Sequence, residues 1–284
     1  MTSQWTIGSA IARNGPAVVR TGRLAQTVRW FRRGVVPWLW GLVFPAVLFP
    51  IWLAGSHWGW LPEQILPKPA DVWGTLLEML RSGELKAHTG ISLLRVVSGF
   101  VMGTAAGLSL GAAMGLSRTT DDYVRPLFTA IAQVPALAWI PLAMLLLGIG
   151  ETLKIVMIAV AACIPIAMNT RAGIRHVPRE FVEVGDTFKF SAWHKLRLVV
   201  LPGAIPSIFT GLRYGLTHAW IALVSVELVA SSEGLGYLLV WGRQMFWLDT
   251  VLVAMIVIGL IGFITDTLLA VIEQHLQRWR IDGA

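Results

Sequence analysis

The chain has 284 residues, of which 55% are hydrophobic and only 14% are charged, and its mean hydropathy is +0.67. Soluble domains carry about 25% charged residues, so a water-soluble core of this length could not hide so much apolar surface, and the composition predicts a membrane protein. The net charge of +7 would suit a nucleic-acid partner, but the positions of the basic residues argue against that class.

Six apolar segments are long enough to cross about 30 Å of hydrocarbon. They cover residues 36–56, 88–116, 124–147, 152–171, 204–229 and 250–273. The sequence therefore predicts an all-α polytopic membrane protein, with a six-helix transmembrane domain over 36–275, a basic tail over 1–35 and a short tail over 276–284. A short amphipathic helix is expected to begin near Pro69, between the first two spans.

The basic residues predict how the spans are oriented. Sixteen of the 23 Lys and Arg residues lie in the two tails and around the loops after the second and fourth spans, and five lie in the other loops. This bias predicts that both termini are cytoplasmic, and it accounts for the pI of about 10.2 without a nucleic-acid partner. The Arg-rich residues 29–33 are expected to bind anionic membrane lipid.

The second span carries a glycine at every fourth position. This row consists of Gly99, Gly103, Gly107, Gly111 and Gly115. Residues at this spacing share one face of a helix, so that face is nearly bare and a neighbouring backbone can approach it closely. The row predicts a helix that packs at the centre of a tight bundle, rather than a ligand site.

The third span is interrupted by two prolines, Pro135 and Pro141. Proline breaks in membrane helices are tolerated where protein or a water-filled cavity satisfies the freed backbone groups, and such helices often line transport pathways. Gln133, Pro135 and Trp139 are therefore candidate pathway residues. A kink that serves packing alone is the alternative.

Ionisable side chains within apolar spans are costly and usually face the bundle interior or water. Arg95, Arg213, His218 and Glu227 are candidate pathway residues on this ground, and Asp266 lies near the end of the sixth span. Two alternatives stay open: the Arg and Glu side chains lie close enough to span ends to reach the interface, and His218 can be a packed histidine. No spacing of His, Cys or acidic residues indicates a metal site.

The loop over residues 171–203 interrupts the apolar pattern with charged and aromatic residues. Pro178 can begin a helix, and Phe181, Val184 and Phe188 follow at helical spacing. A break near 189–191 and a second apolar stripe from Trp193 predict two short helices across the cytoplasmic face, ending at 201–202. Mixed charge with exposed aromatic residues favours a protein partner for this loop.

This loop resembles the coupling loop of the inner-membrane permease subunits of ABC importers. That family has the pattern E-A-A, three residues, G, nine residues, I-x-L-P. Here the first part is Glu183-Val184-Gly185, the ending is Leu201-Pro202, and Lys189 replaces the loop glycine. The phrases "VPALAWIPLAMLLLGIGET", "LPGAIPSIFTGLRYGL" and "SSEGLGYLL" are similar to the nitrate/sulfonate/taurine branch, and the resemblance covers about residues 60–275.

The resemblance implies a pore built from two copies of the chain in a bacterial inner membrane. Two cytoplasmic ATPase subunits would bind ATP and Mg and dock on the loop, and a periplasmic or lipid-anchored binding protein would deliver an anion such as an aliphatic sulfonate, taurine or nitrate. The chain contains no Gly-Lys dipeptide and hence no phosphate-binding loop of the GxxxxGK[ST] type, so no cofactor is expected in this subunit. The resemblance implies ATPase contacts by Glu180, Glu183, Val184, Gly185, Phe188, Lys189, Leu201 and Pro202.

Two other function classes are less consistent with the sequence. An ion-coupled secondary transporter would use Glu227, His218 or Asp266, but it gives the charged loop no role and the hydropathy shows no convincing inverted repeat. A membrane-embedded enzyme would need a catalytic constellation, and the sequence contains neither paired carboxylates nor a His/Cys cluster that would supply one.

Overall fold

The computed structural model describes residues 36–58 and 66–276, and within these ranges the secondary structure is helical, without strands. The chain divides into two compact units, Met1–Trp60 and Leu61–Ala284. The first contains α1 (Val36–His57). The second contains α2 (Pro69–Ser82), α3 (Glu84–Leu116), α4 (Arg118–Ala132), α5 (Ala136–Leu147), α6 (Glu151–Arg175), α7 (Arg179–Thr187), α8 (Ala192–Lys195), α9 (Leu201–Ala230), α10 (Leu235–Gln244) and α11 (Leu248–Leu276).

Four helices of the described residues are long and apolar enough to cross a membrane: α3, α6, the continuous helix Ala192–Ala230 that contains α8 and α9, and α11. The pair α4 and α5 gives a fifth crossing if it is counted as one span, bent by 100°. In α1, the apolar stretch Ala46–Ser56 is shorter. The structure therefore confirms an all-helical, multi-pass architecture, and the count of six spans stays a prediction.

Helices α3 and α6 make the closest pairing in the second unit, and the glycine row of α3 faces α6 along its whole length. A Cβ atom at Gly99 would lie 2.6 Å from Ile158, and one at Gly115 would lie 2.8 Å from Ile174. The contacts advance in the same direction along both helices, so α3 and α6 run parallel. The chain between two parallel helices must return to the end at which the first one began. The bent pair α4–α5 provides this return crossing.

Helix α9 packs antiparallel against α6, again through glycine. A Cβ at Gly211 would lie 2.7 Å from the Asn169 side chain, and one at Gly215 would lie 2.7 Å from Ile166. The hydrophobic core forms where the three helices meet, around Ile166, Leu223 and their buried neighbours. In a membrane the lipid is as apolar as these side chains, so close van der Waals contact, which small residues permit, holds such helices together.

The break in the third predicted span lies at Pro135 and not at Pro141. Val134 precedes a proline and is disfavoured from helical geometry, so α4 ends at Ala132 and α5 starts afresh at Ala136. Pro141 lies inside α5 without interrupting it.

The amphipathic helix expected from Pro69 is confirmed as α2, and the hydroxyl of Thr75 binds the Asp249 carboxylate at the start of α11.

We predict that Gly107→Leu destabilises the protein, because the added side chain begins only 2.9 Å from both the Cys163 carbonyl and Ile166. Overpacking of this kind costs about 1–3 kcal/mol and should lower the melting temperature of the protein in detergent. The matched control is Gly90→Leu in the same helix, where nothing lies within 4 Å of an added Cβ. Equal melting temperatures for the two variants would contradict the role given to the row.

Candidate translocation and coupling sites

A large cavity lies where the bent pair α4–α5 meets the middle of α6 and α9. Its volume is about 560 Å³, and its wall is almost entirely apolar. Three of the candidate pathway residues line it: Pro135, Trp139 and His218. The fourth residue near the bend, Gln133, is exposed beside the break but does not belong to the wall. The cavity is thus built around the interrupted span, as expected of a transport element.

A second cavity, of about 430 Å³, is polar and lies between α9 and α11. The guanidinium of Arg213 donates to both carboxylate oxygens of Asp266 at 3.2 and 3.0 Å, and Glu273 lies 3.8 Å away. The Arg213 and Asp266 side chains are each 43% exposed in one copy of the chain. Arg213 is therefore paired with acids in this conformation and does not offer a free positive charge.

The two cavities are joined by an exposed polar face of α9, formed by Thr210, Arg213, Tyr214, Thr217 and His218. The hydroxyls of Thr210 and Thr217 and the Nδ1 atom of His218 each bond to a carbonyl one turn earlier in the same helix. Charged groups on a membrane helix are costly against hydrocarbon. This face therefore requires water or a further protein surface against it.

Arg95 and Glu227 lie away from both cavities, inside the protein, and each is only 1% exposed. Their charged ends are enclosed by α3, α6, α9 and the loop Ser231–Gly234, so neither extends freely into solvent, although the Arg95 partners Glu151 and Glu233 are about half exposed. Arg95 donates to Glu151 through Nε at 2.8 Å and Nη2 at 2.6 Å, and to Glu227 through Nη1 at 2.8 Å. It also donates to the carbonyl oxygen of Glu233 at 2.8 Å.

The loop Ser231–Gly234 and the start of α10 are bound to α3 and α9 by the same cluster. The Gly234 amide donates to His88 Nδ1 at 2.9 Å, the Leu235 amide to Ser92 Oγ at 2.8 Å, and the Gly236 amide to Glu227 Oε2 at 2.8 Å. Gly234 has φ +109°, and a Cβ there would overlap the Glu227 carboxylate, so only glycine fits. Three consecutive amides thus each bond to a side chain of another helix.

The loop after α6 folds into the short helix α7 and, after a turn, the start of a second helix at Ala192, where the sequence predicts one. Its apolar side chains point outward: Phe181 is 59% exposed, Phe188 70% and Trp193 66%, with Val184 and Leu198 also exposed. We call these five residues the loop surface. The charged residues Glu180 and Glu183 lie exposed beside it on α7, and the cross-helix ion pair between Lys195 Nζ and Asp186 at 2.7 Å ties α8 to α7. This exposed apolar area makes the loop surface a candidate protein-binding surface.

Two expectations for this loop need correction. Gly185 does not contribute to the exposed surface, because it is buried and an added Cβ would lie 3.3 Å from the Lys195 stem. Leu201-Pro202 does not end the segment either. A π-helical turn, Leu196–Val200, continues α8 into α9, and the chain is one helix from Ala192 to Ala230. Proline lacks an N–H, and the wider turn before it accommodates Pro202 without a break.

Lys189, in place of the family's glycine, adopts the left-handed conformation with φ +53°. It stands just after the C-cap of α7: the Phe190 amide bonds to the Gly185 carbonyl and the Lys189 amide to the Asp186 carbonyl, both at 2.9 Å. These two bonds define a Schellman motif, in which glycine is the usual residue at this position. Ser191 then caps α8, accepting from the His194 amide.

The polar residues that sequence reasoning missed are Ser92, Glu151, Glu233 and Asp121. The first three complete the Arg95 cluster, and Asp121, 2% exposed, pairs with Arg171 and Arg175 next to the loop. Ser92 and Arg95 are three residues apart, as are Glu151 and Lys154, but the spacing alone does not show what either pair faces. The described residues contain no group of three His, Cys, Asp or Glu side chains that could hold a metal ion.

The fold is similar to those of solved ABC transporter structures. An inward-facing structure of the MetNI methionine ABC transporter aligns with a TM-score of 0.53 at 20% identity, over 65% of this chain and 92% of that chain. A structure described as an amino acid ABC transporter with histidines gives 0.52 at 18% identity, over 72% of this chain and 98% of that one. At this identity the likeness shows a shared fold.

The sequence comparisons define the family. Residues 103–278 match the model of the binding-protein-dependent transport system inner membrane component, and the chain belongs to this family of transport permeases. The putative aliphatic sulfonates transport permease protein SsuC of Bacillus subtilis (strain 168) is 37% identical over 244 residues, 86% of this chain and 88% of the relative.

Two further relatives carry other names. The taurine transport system permease protein TauC of Escherichia coli (strain K12) is 33% identical, over 82% of this chain and 87% of the relative. The bicarbonate transport system permease protein CmpB of Synechococcus elongatus (strain ATCC 33912 / PCC 7942 / FACHB-805) is 34% identical, over 68% of each chain. The recognition of the family from the coupling-loop pattern is thereby confirmed.

We predict that Lys189→Gly retains the loop geometry and leaves stability unchanged or slightly raised. It removes a left-handed cost of about 1–2 kcal/mol, part of which is offset by the greater freedom of glycine in the unfolded chain. Lys189→Val should instead lower the melting temperature, because a β-branched residue is poorly accommodated at positive φ. If Val and Gly gave the same melting temperature, the Schellman geometry at Lys189 would be refuted.

Proposed function

We propose that this chain is the permease subunit of an ATP-driven importer of small organic anions, of the aliphatic sulfonate and taurine class. Two copies form the pathway, a separate ATPase binds the loop surface on the cytoplasmic side, and a binding protein delivers the substrate from the other side. Both termini are cytoplasmic in this arrangement, in keeping with the bias of the basic residues. The observation that carries the proposal is the exposed loop surface at the start of a helix that continues, unbroken, to Ala230.

The continuity of this helix gives the proposal its mechanism. ATP hydrolysis in another subunit can move the pathway only through a physical contact, and a rigid helix transmits displacement where a flexible connection does not. Trp193 on the loop surface and His218 at the apolar cavity lie on the same helix, Ala192–Ala230. A tilt imposed at the loop therefore reaches the cavity directly.

The polar face of α9 supports a pathway shared by two copies. Its Arg213, Asp266 and Thr217 neighbourhood is open in a single copy, and a charged face at membrane depth needs water or protein against it. A second copy facing this surface would enclose an aqueous route between the two chains. The Arg213–Asp266 pair would then line that route, where it stays hydrated.

The cavity chemistry and the relatives together support the substrate class. The wall of the cavity at the α4–α5 bend is apolar, and the adjoining face of α9 is polar. An anion with a hydrocarbon part can use both surfaces, whereas a compact, strongly hydrated anion can use only the polar one. The relatives' names include aliphatic sulfonates and taurine, which are anionic groups on a hydrocarbon part, and bicarbonate, which has no hydrocarbon part. Sulfonates and taurine are therefore favoured as the substrate class over bicarbonate.

The ion-coupled alternative loses one of its residues. It relied on Glu227, His218 or Asp266. Glu227 is buried among bonding partners at 1% exposure and lines neither cavity, and Asp266 in the polar cavity is paired with Arg213. His218 remains at the apolar cavity with its Nδ1 atom bonded to its own helix. A single histidine without an acidic partner at the cavity gives no relay for a coupled proton.

We predict that Val184→Asp combined with Phe188→Asp leaves the permease folded but unable to retain its ATPase. Both side chains are more than half exposed, so their replacement costs little folding energy, while two carboxylates on the loop surface are costly to bury in an interface. The measurement is the ratio of ATPase to permease after purification by a tag on the permease, with uptake measured in parallel.

Two single charge reversals sharpen this test. Glu183→Lys lies on α7 beside the loop surface and should also weaken ATPase retention, whereas the control Glu78→Lys is an exposed reversal on α2 and should not. If the Val184→Asp, Phe188→Asp variant retains ATPase at the parent ratio and transports normally, the loop surface does not bind the ATPase.

We predict that Val160→Trp reduces uptake by at least about tenfold without loss of assembly, because the larger side chain fills the cavity that Val160 lines and opposes substrate passage. Val160 is 46% exposed, so the protein has room for the indole. The control is Val101→Trp, a 60% exposed position on α3 outside both cavities. If uptake is unchanged in both Val160→Trp and Val101→Trp, the substrate does not pass through this cavity.

A further inference from the structure

The Arg95 cluster lies outside the loop surface and both cavities, and it holds the most deeply buried charges of the described residues. Burial of an ion pair is costly and is seldom justified by stability alone. Its members come from four separate parts of the chain: Arg95 and Ser92 on α3, Glu151 on α6, Glu227 on α9, and the loop Ser231–Gly234 before α10. The cluster therefore fixes the relative positions of these elements.

Glu227 has a particular place in this arrangement. It lies one turn before the end of α9, and its Oε2 atom accepts from the Gly236 amide in the first turn of α10 at 2.8 Å. Its Oε1 atom accepts from Ser92 Oγ and from Arg95 Nη1, both at 2.8 Å. The carboxylate thus caps α10 from α9, while Arg95 balances its charge and Ser92 holds α3 to both.

We propose that Glu227, Ser92 and Arg95 form a clamp that makes α10 follow the movement of α9. The inference rests on the proposed function, in which ATP hydrolysis moves α9 through the loop surface. The loop surface is at one end of the helix Ala192–Ala230 and Glu227 is near the other end. The clamp therefore carries a displacement that begins at the ATPase to a short helix at the opposite end of α9, on the side where the binding protein delivers substrate.

The contacts around α10 indicate that it moves as a unit with the clamp. Three amides at its start are bound by side chains of α3 and α9, and Leu235 and Leu238 are buried. Its other end is exposed: Gln244 and the following Met245 and Phe246 are open, with Phe246 in the left-handed conformation at φ +60°. A displacement at the clamp thus appears at an exposed end of α10, where a label can detect it.

The experiment uses the full transporter with its ATPase, in which the single Cys163 is replaced by Ala. Spin labels are introduced either at Ile221→Cys on the exposed face of α9 or at Gln244→Cys on α10, and the distance between the two copies is measured with and without ATP trapped by vanadate. The test variant is Glu227→Gln, which preserves shape and removes the charge. The control is Glu84→Gln, an exposed carboxylate at the start of α3.

We expect both distances to shift on trapping in the parent and in Glu84→Gln. In Glu227→Gln the Ile221 distance still shifts, the Gln244 distance loses its shift, and uptake falls by about tenfold while ATP hydrolysis continues, a loss within the range of typical coupling energies. A Gln244 distance that shifts in Glu227→Gln as in the parent overturns the clamp. If neither distance shifts in the parent, the proposed coupling through α9 is wrong.

A second variant covers the case in which Glu227→Gln does not assemble. Ser92→Ala keeps both charges and removes only the bonds from Ser92 to Glu227 and Leu235. It is judged by the same two distances: a Gln244 shift reduced relative to the Ile221 shift supports the clamp, and an unchanged Gln244 shift overturns it.

Discussion

The close contact of α3 with α6, made possible by a row of glycines, is the constraint on which the rest of the second unit depends. In a membrane no hydrophobic gain arises from moving a leucine out of lipid, so helices associate through van der Waals contact and polar bonds. Glycine at every fourth residue brings the backbones of α3 and α6 together over five successive contacts. Gly211 and Gly215 allow the same close approach between α9 and α6. The resulting three-helix core is the frame that holds the bent pair, the loop and α10.

Two of the charged clusters of this frame illustrate different uses of charge in a membrane protein. Arg95 and Glu227 are enclosed and fully bonded, so they fix the positions of helices and exchange nothing with solvent. Arg213 and Asp266 are paired but open, on a face that also carries hydroxyls. Because only the open cluster can meet a hydrated substrate, the proposed pathway follows α9 past Arg213 and His218, and the proposed clamp uses the enclosed cluster to hold helices together.

Sequence periodicity was sufficient to identify the glycine row, α7 and the start of α8, because each depends on which residues share a helix face; it did not show that α8 continues into α9. It was not sufficient for Arg95 and Glu227, since an isolated charge in a span carries no signal for which neighbour it meets. The same limit explains Gly185, whose burial depends on how α8 folds back on α7. Lys189 shows the reverse case: the pattern placed the turn correctly, and the chain accepts a non-glycine residue at positive φ.

The central claim is that this permease works only with an ATPase that binds its loop surface, and reconstitution tests that claim most directly. Proteoliposomes would contain the permease with or without the ATPase, with ATP inside and the binding protein and a labelled aliphatic sulfonate outside. The account predicts accumulation that requires the ATPase, ATP and the binding protein, and that persists when ion gradients are collapsed. Accumulation by the permease alone, driven by a proton or sodium gradient, would contradict it.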